Sequence, residues 1–83
     1  MEKLPDGRYK PPIDVVRPGM KGDQVVWVQI GLNGTMKTDL LYDGSYGPKT
    51  TAAVKEFQKK YGLAVDGIFG PKSLAKMLEL MGW

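Results

Sequence analysis

Residues 43–50 read Asp-Gly-Ser-Tyr-Gly-Pro-Lys-Thr, and residues 66–73 read Asp-Gly-Ile-Phe-Gly-Pro-Lys-Ser. Five of the eight positions are identical, and the aromatic and hydroxyl-bearing positions are conserved in type. An Asp-Gly pair favours a turn, because the Asp carboxylate can accept nearby backbone N–H groups. The Gly-Pro pair favours the start of a helix, because proline at the first helical position lacks only a donor that has no partner there. The stretch predicts two copies of one unit, in which a turn inserts an aromatic side chain and then begins a helix.

Apolar spacing around the two copies predicts three helices, over residues 23–32, 48–61 and 71–81. The first is expected to stop at Asn33-Gly34, since glycine tolerates the left-handed cap conformation. The predicted buried stripes are Val25, Val28 and Leu32, then Ala53, Val54, Phe57 and Tyr61, and finally Leu74, Leu78 and Met81. We therefore predict an all-α fold, a compact three-helix bundle with two pseudo-repeated Asp-Gly-x-aromatic-Gly-Pro loop–helix units.

The glycines of each unit are expected to differ in what they do. Gly44 and Gly67 follow the Asp and should take a positive φ. Gly47 and Gly70 stand at the helix entries, where we expect a conformation that a branched side chain resists.

Two glutamines lie beside the apolar stripes of the first two helices. Val25-x-x-Val28-Gln29-x-x-Leu32 has its counterpart in Val54-x-x-Phe57-Gln58-x-x-Tyr61. A buried amide needs hydrogen-bond partners, so Gln29 and Gln58 are each expected to bind the backbone of one repeated loop. Leu63 and Val65 are expected to fill the core between the second and third helices.

The chain divides into a tail and one domain. Residues 1–16 read as a Pro-rich linker or tail, and residues 17–83 as the domain. Met1–Lys10 has no apolar block, so a signal peptide is not expected there, and no apolar run reaches the ~20 residues of a membrane helix. The Pro-rich lead-in suggests a further domain attached upstream.

The composition excludes several kinds of chemistry. The 83 residues contain no His and no Cys, which rules out a Ser-His-Asp triad, a Cys-His dyad and the usual zinc ligand sets. The turn at Asp43 offers too few alternating oxygen ligands for calcium. The net charge is +3, and only Arg8 and Arg17 are arginines, which argues against a nucleic-acid reader. We expect no catalytic residues, metal, cofactor, nucleic-acid partner or membrane segment.

These motifs together resemble the bacterial peptidoglycan-binding domain, the three-helix module of endolysins, autolysins and cell-wall amidases. The resemblance covers about residues 16–81 and includes Pro18-Gly19-x-x-Gly22, the two glutamine helices and both Asp-Gly-x-aromatic-Gly-Pro loops. It implies a noncatalytic, monomeric module that binds the glycan or the stem peptide of the wall and targets a fused upstream lytic enzyme to its polymer. It also implies a secreted, cell-wall-associated location.

Candidate ligand contacts follow from the chemistry of such a polymer. Sugar rings stack on aromatic side chains, and a Lys in the first turn of a helix can close a site for a stem-peptide carboxylate. The candidates are Trp27, Tyr42, Asp43, Tyr46, Lys49, Thr50 and Lys72. Core packing is the alternative for the aromatic residues, and full solvation for the two lysines.

A second function remains open at this point. Trp27 lies about 200° from the face of Val25 at 100° per residue, so with Val26 and Ile30 it is expected to form an exposed second apolar face. Such a face is typical of an interaction surface. The alternative is therefore a three-helix protein-interaction or oligomerisation module that uses Trp27 and Ile30.

Overall fold

The computed structural model describes residue 12 and residues 15–82, and these residues form a three-helix bundle. The helices are α1 (Asp23–Met36), α2 (Pro48–Lys60) and α3 (Pro71–Met81). Within the described residues, the only extended pairing is a pair of isolated antiparallel bridges, Val16 with Phe69 and Lys21 with Ser45. The prediction of an all-α three-helix fold is confirmed.

The segment before α1 is attached to the second repeated loop. Residues 1–11, 13 and 14, most of the predicted tail, lie outside the described residues, as does Trp83. Val16, the last residue of that tail, is fully buried. Its N–H donates to the Phe69 carbonyl at 3.0 Å, and the Phe69 N–H donates back at 2.8 Å. The packed structure therefore includes Val16.

The two Gly-Pro helix entries are alike but unstrained. Gly47 (φ −100°, ψ −166°) and Gly70 (φ −97°, ψ −166°) are extended, with proline at the helix start. A Cβ added to either would meet nothing within 4 Å. The expectation of a special conformation there is wrong, because extended backbone suits any residue. Gly44 and Gly67 carry the positive φ, 73° and 75°, as predicted.

Helix α1 is longer than its sequence suggests. It continues through Asn33-Gly34 to Met36 and is closed by Lys37, whose φ is 57° and whose N–H donates to the Asn33 carbonyl. The predicted stop is wrong because the Asn33 side chain ties down the following loop instead. Its amide donates to the Leu40 carbonyl at 2.9 Å, and its oxygen accepts from the Leu40 N–H at 2.9 Å.

The core is centred on α1, and Trp27 lies inside it. Trp27 is 0% exposed, with its ring 6.4 Å from that of Phe69 in an edge-to-face arrangement. Ile30 is only 7% exposed. Because α1 packs against both α2 and α3, it is buried on several sides from Val25 to Leu32, as a helix that is apolar all round should be. The predicted exposed face of Trp27 and Ile30 is wrong, and the interaction module built on it loses its surface.

Helix α3 presents a different stripe from the predicted one. Ser73, Met77 and Met81 are buried, whereas Leu74 and Leu78 pack only partly against the core. Opposite Met77, α1 has Gly31, and an added Cβ there would overlap the Met77 sulfur. The missing side chain is what allows α1 and α3 to approach at this point.

Candidate functional site

The first repeated loop is held by the buried amide of Gln29. Its Nε2 donates to Asp43 Oδ1 at 3.0 Å, to the Ser45 carbonyl at 3.1 Å and to Thr50 Oγ1 at 3.2 Å. Its Oε1 accepts from the Gly44 N–H at 3.1 Å. One side chain of α1 thereby fixes the turn and the start of α2 together.

The second loop repeats this arrangement around Gln58. Its Nε2 donates to Asp66 Oδ1 at 2.9 Å, to the Ile68 carbonyl at 2.8 Å and to Ser73 Oγ at 3.2 Å. Its Oε1 accepts from the N–H groups of Asp66 and Gly67. The predicted role of the two glutamines is confirmed.

Both loop carboxylates are stabilised in the charged form. The N–H of Ser45, and after it the Gln29 amide, lowers the pKa of Asp43 below its ordinary value. The N–H of Ile68, and after it the Gln58 amide, does the same for the pKa of Asp66. Both groups are solvent-exposed, so the carboxylates face outward while their backbone partners hold the turn.

Three of the predicted contact residues have their side chains engaged in the interior. Trp27 is in the core, the Thr50 hydroxyl accepts from Gln29, and the Tyr46 hydroxyl donates to the Gly67 carbonyl at 2.6 Å. Burial, and after it the charge of Asp66, raises the pKa of Tyr46 above its usual range. We therefore regard Trp27 and Tyr46 as structural residues.

A groove of about 410 Å³ lies between the loop after α1 and the start of α2. We call it the first groove; it is lined by Gln29, Asp39–Leu41, Asp43, Ser45 and Gly47–Thr50. It thus brings together three predicted residues, Asp43, Lys49 and Thr50. Tyr42 lies between two lining residues and is 51% exposed.

A second groove of about 290 Å³ occupies the same position beside the second loop. It is lined by Gln58, Leu63, Ala64, Asp66, Ile68 and Gly70–Ser73. Lys72 lines this second groove, so the structure does not bring it together with Lys49. Each copy of the sequence repeat therefore has its own groove, and the two grooves are separate.

Exposed apolar side chains concentrate at the two grooves. Leu41 (77% exposed) and Tyr42 adjoin the first, and Val65 (53%) and Ile68 (37%) adjoin the second. The expectation that Val65 fills the core is wrong. The sequence did not predict that Leu41 and Val65 are exposed. Val65 stands 23 residues after Tyr42, so extending the repeat upstream by one residue would have paired Val65 with Tyr42.

Other kinds of site find no support in the described residues. Residues 12 and 15–82 contain no group of three or more acidic side chains placed to hold a metal ion. No helix in that part of the chain combines the length and apolarity needed to cross a membrane.

Comparison with known proteins finds relatives that cover up to 94% of this chain. Residues 21–77 match the family described as "Putative peptidoglycan binding domain". A "Probable N-acetylmuramoyl-L-alanine amidase" of Bacillus licheniformis is 46% identical over 94% of this chain, which covers 23% of that protein. An "Autolytic lysozyme" of Clostridium acetobutylicum is 47% identical over 61% of this chain, which covers 16% of that protein. The chain thus spans less than a quarter of the length of each of these two curated relatives.

A solved structure agrees with the sequence matches. The crystal structure of a peptidoglycan-binding protein from Clostridioides difficile, in complex with glutamine hydroxamate, has a TM-score of 0.76 to this chain and is 43% identical. The match covers 81% of this chain and 42% of that one.

Proposed function

The chain belongs to the peptidoglycan-binding domain family, and on that premise we propose that it is a noncatalytic module that holds a fused cell-wall hydrolase on its polymer. One observation carries the proposal. Closely similar sequence accompanies an amidase in one relative and a lysozyme in another, two enzymes that cut different bonds of one polymer. What such proteins share is the need to be retained on peptidoglycan.

The carboxylates of the grooves support a binding role. A general acid for glycoside cleavage needs a pKa raised by an apolar environment. Asp43 and Asp66 have lowered pKa values, because backbone N–H groups and glutamine amides stabilise their charge. The hydrogen bonds of these two carboxylates stabilise the turns. The chain has no His or Cys that could act as a catalytic acid, base or nucleophile in their place.

The first groove is our candidate for the glycan. A sugar ring offers an apolar face and hydroxyl donors. Tyr42, with Leu41 beside it, provides an exposed platform for that face. Asp39 and Asp43 provide carboxylate acceptors for the hydroxyls, and Lys49 provides a donor at the start of α2.

The proposal includes a setting for the module. It acts outside the cell at the wall, fused to a catalytic domain on its N-terminal side, and it binds as a monomer. The burial of Trp27 and Ile30 supports the monomer, because these residues had offered a surface for self-association.

Co-sedimentation with purified peptidoglycan tests the proposal. We expect the chain to sediment with insoluble walls and to leave a wall suspension turbid. Tyr42→Ala should weaken retention, whereas Leu80→Ala should not, because Leu80 is also exposed but lines neither groove. Failure of the wild-type chain to sediment with walls of several chemotypes, or clearing of the suspension, would contradict the proposal.

A further inference from the structure

The second groove has the same construction as the first but a different lining. The glutamine, the Asp carboxylate and the hydroxyl of the following helix recur in both. Gln29 and Asp43 are 14 positions apart in the chain, whereas Gln58 and Asp66 are 8 apart. The additional residues give the first groove a wall that the second lacks. The extra residues extend α1 and form the loop that carries Asp39–Tyr42.

This difference changes the chemistry that each groove can accept. The first groove has an adjoining aromatic ring and two carboxylates against one ammonium group. The second has aliphatic Val65 at the repeat position of Tyr42, and its single carboxylate is matched by one ammonium group, that of Lys72. An anionic ligand is therefore less disfavoured in the second groove.

The polar and apolar groups of the second groove are arranged side by side. Asp66 Oδ1 already accepts from Gln58 and from the Ile68 N–H. Within the described part of the chain, Lys72 has no acidic partner at ion-pair distance. Leu63, Ala64 and Ile68 line the groove with aliphatic surface, and exposed Val65 lies in the chain between two lining residues, Ala64 and Asp66. Short aliphatic side chains next to a carboxylate would fit this lining.

We infer that the second groove is a separate subsite for the stem peptide of the wall, in which aliphatic side chains of the peptide pack against Ile68 and Val65 and its carboxylate pairs with Lys72. The inference rests on the proposed function and adds a division of roles, with glycan in the first groove and peptide in the second. Two subsites on one rigid domain strengthen retention on a repeating polymer by effective concentration.

Nuclear magnetic resonance titration of the whole ¹⁵N-labelled chain tests the division. The probes are a soluble disaccharide–peptide fragment of peptidoglycan and the same disaccharide without its peptide. The peptide-bearing fragment should shift backbone amides of residues 66–73, and the peptide-free disaccharide should shift those of residues 39–50 alone. The inference is overturned if the two probes shift both grooves alike, or if the peptide-bearing fragment leaves residues 66–73 unchanged.

Three exposed substitutions make the test specific. Lys72→Glu should weaken peptide binding about tenfold or more, through loss of a charge-assisted pair, and leave disaccharide binding unchanged. Ile68→Ser introduces the residue that the first groove has at this repeat position, Ser45. This substitution should also weaken peptide binding, and it leaves the charge unchanged. Lys59→Glu is the matched control, since Lys59 is exposed on α2 and lines neither groove. Equal losses in Lys72→Glu and Lys59→Glu would indicate diffuse electrostatic attraction and overturn the subsite.

Sedimentation and fragment binding together distinguish a failure of this inference from a failure of the proposed function. If the wild-type chain does not sediment with purified peptidoglycan, the proposed function fails. If it does sediment, but Lys72→Glu and Ile68→Ser bind the peptide-bearing fragment as the wild type does, only the second subsite fails. Thermal melts of each variant confirm that the fold is retained.

Discussion

The Tyr46 hydroxyl donates a 2.6 Å hydrogen bond to the Gly67 carbonyl and so joins the two repeated loops. Phe69, at the equivalent position of the second copy, has no hydroxyl and packs against Trp27 and Phe57. The two aromatic positions of the repeat have therefore taken different tasks. One links the loops, and the other fills the core beneath them.

Tyr46→Phe should destabilise the domain by about 1–2 kcal/mol, because the buried Gly67 carbonyl loses its donor. Urea denaturation followed by circular dichroism measures the loss. Tyr42→Phe is the control, since Tyr42 is half exposed and removal of its hydroxyl should leave stability unchanged. Equal midpoints for Tyr46→Phe and wild type would mean that the link between the loops adds nothing to stability.

The glycines of each loop should respond oppositely to alanine. Gly44→Ala and Gly67→Ala should each cost about 1–2 kcal/mol, because an L-residue resists a positive φ. At Gly44 the new Cβ would also lie 3.2 Å from the Gly22 carbonyl oxygen.

Gly47→Ala and Gly70→Ala are the matched controls for that prediction. Their backbone is extended and the space around them is open, so alanine should be neutral or stabilise by up to about 1 kcal/mol through the unfolded state. Thermal melts of the four variants check the contrast. The same loss in both pairs would contradict it.

The repeat made most of the fold predictable from sequence. It located the starts of α2 and α3, the turn glycines and the tasks of Gln29 and Gln58, because each of these depends on local chemistry that recurs within a few residues. The end of α1 was not predictable in this way. Its extension depends on Asn33 binding Leu40, a contact across a loop with no counterpart in the second copy.

The position of Trp27 was also not predictable from one helix alone. A helical wheel measures one helix against a single partner surface, whereas α1 is surrounded by α2, α3 and the second loop. For the candidate site, the sequence predicted Asp43, Lys49 and Lys72 as ligand contacts but could not assign them to separate grooves. That separation depends on how the two copies are oriented around α1.

Gly31→Ala should destabilise the domain by about 1–3 kcal/mol, because the added methyl group overlaps Met77 where α1 and α3 meet. The cost should fall in a Met77→Ala background, in which the obstructing side chain is absent. A double-mutant cycle on unfolding free energies measures this coupling, expected at about 0.5–3 kcal/mol. Additive losses would place the strain of Gly31→Ala elsewhere.

The loop carboxylates should make the domain sensitive to acid. The pKa values of Asp43 and Asp66 in the folded chain lie below the ordinary value of 3.8 that they regain on unfolding. Their contribution to stability is therefore complete above about pH 5 and is lost as pH falls below 3.8 and through the folded-state pKa. The double variant Asp43→Asn and Asp66→Asn keeps an oxygen that can accept from Ser45 and Ile68, but it has no proton to take up. Urea midpoints between pH 7 and pH 2 should fall less steeply for this variant than for the wild type. Parallel profiles of midpoint against pH would show that protonation of these two carboxylates does not cause the loss of stability in acid.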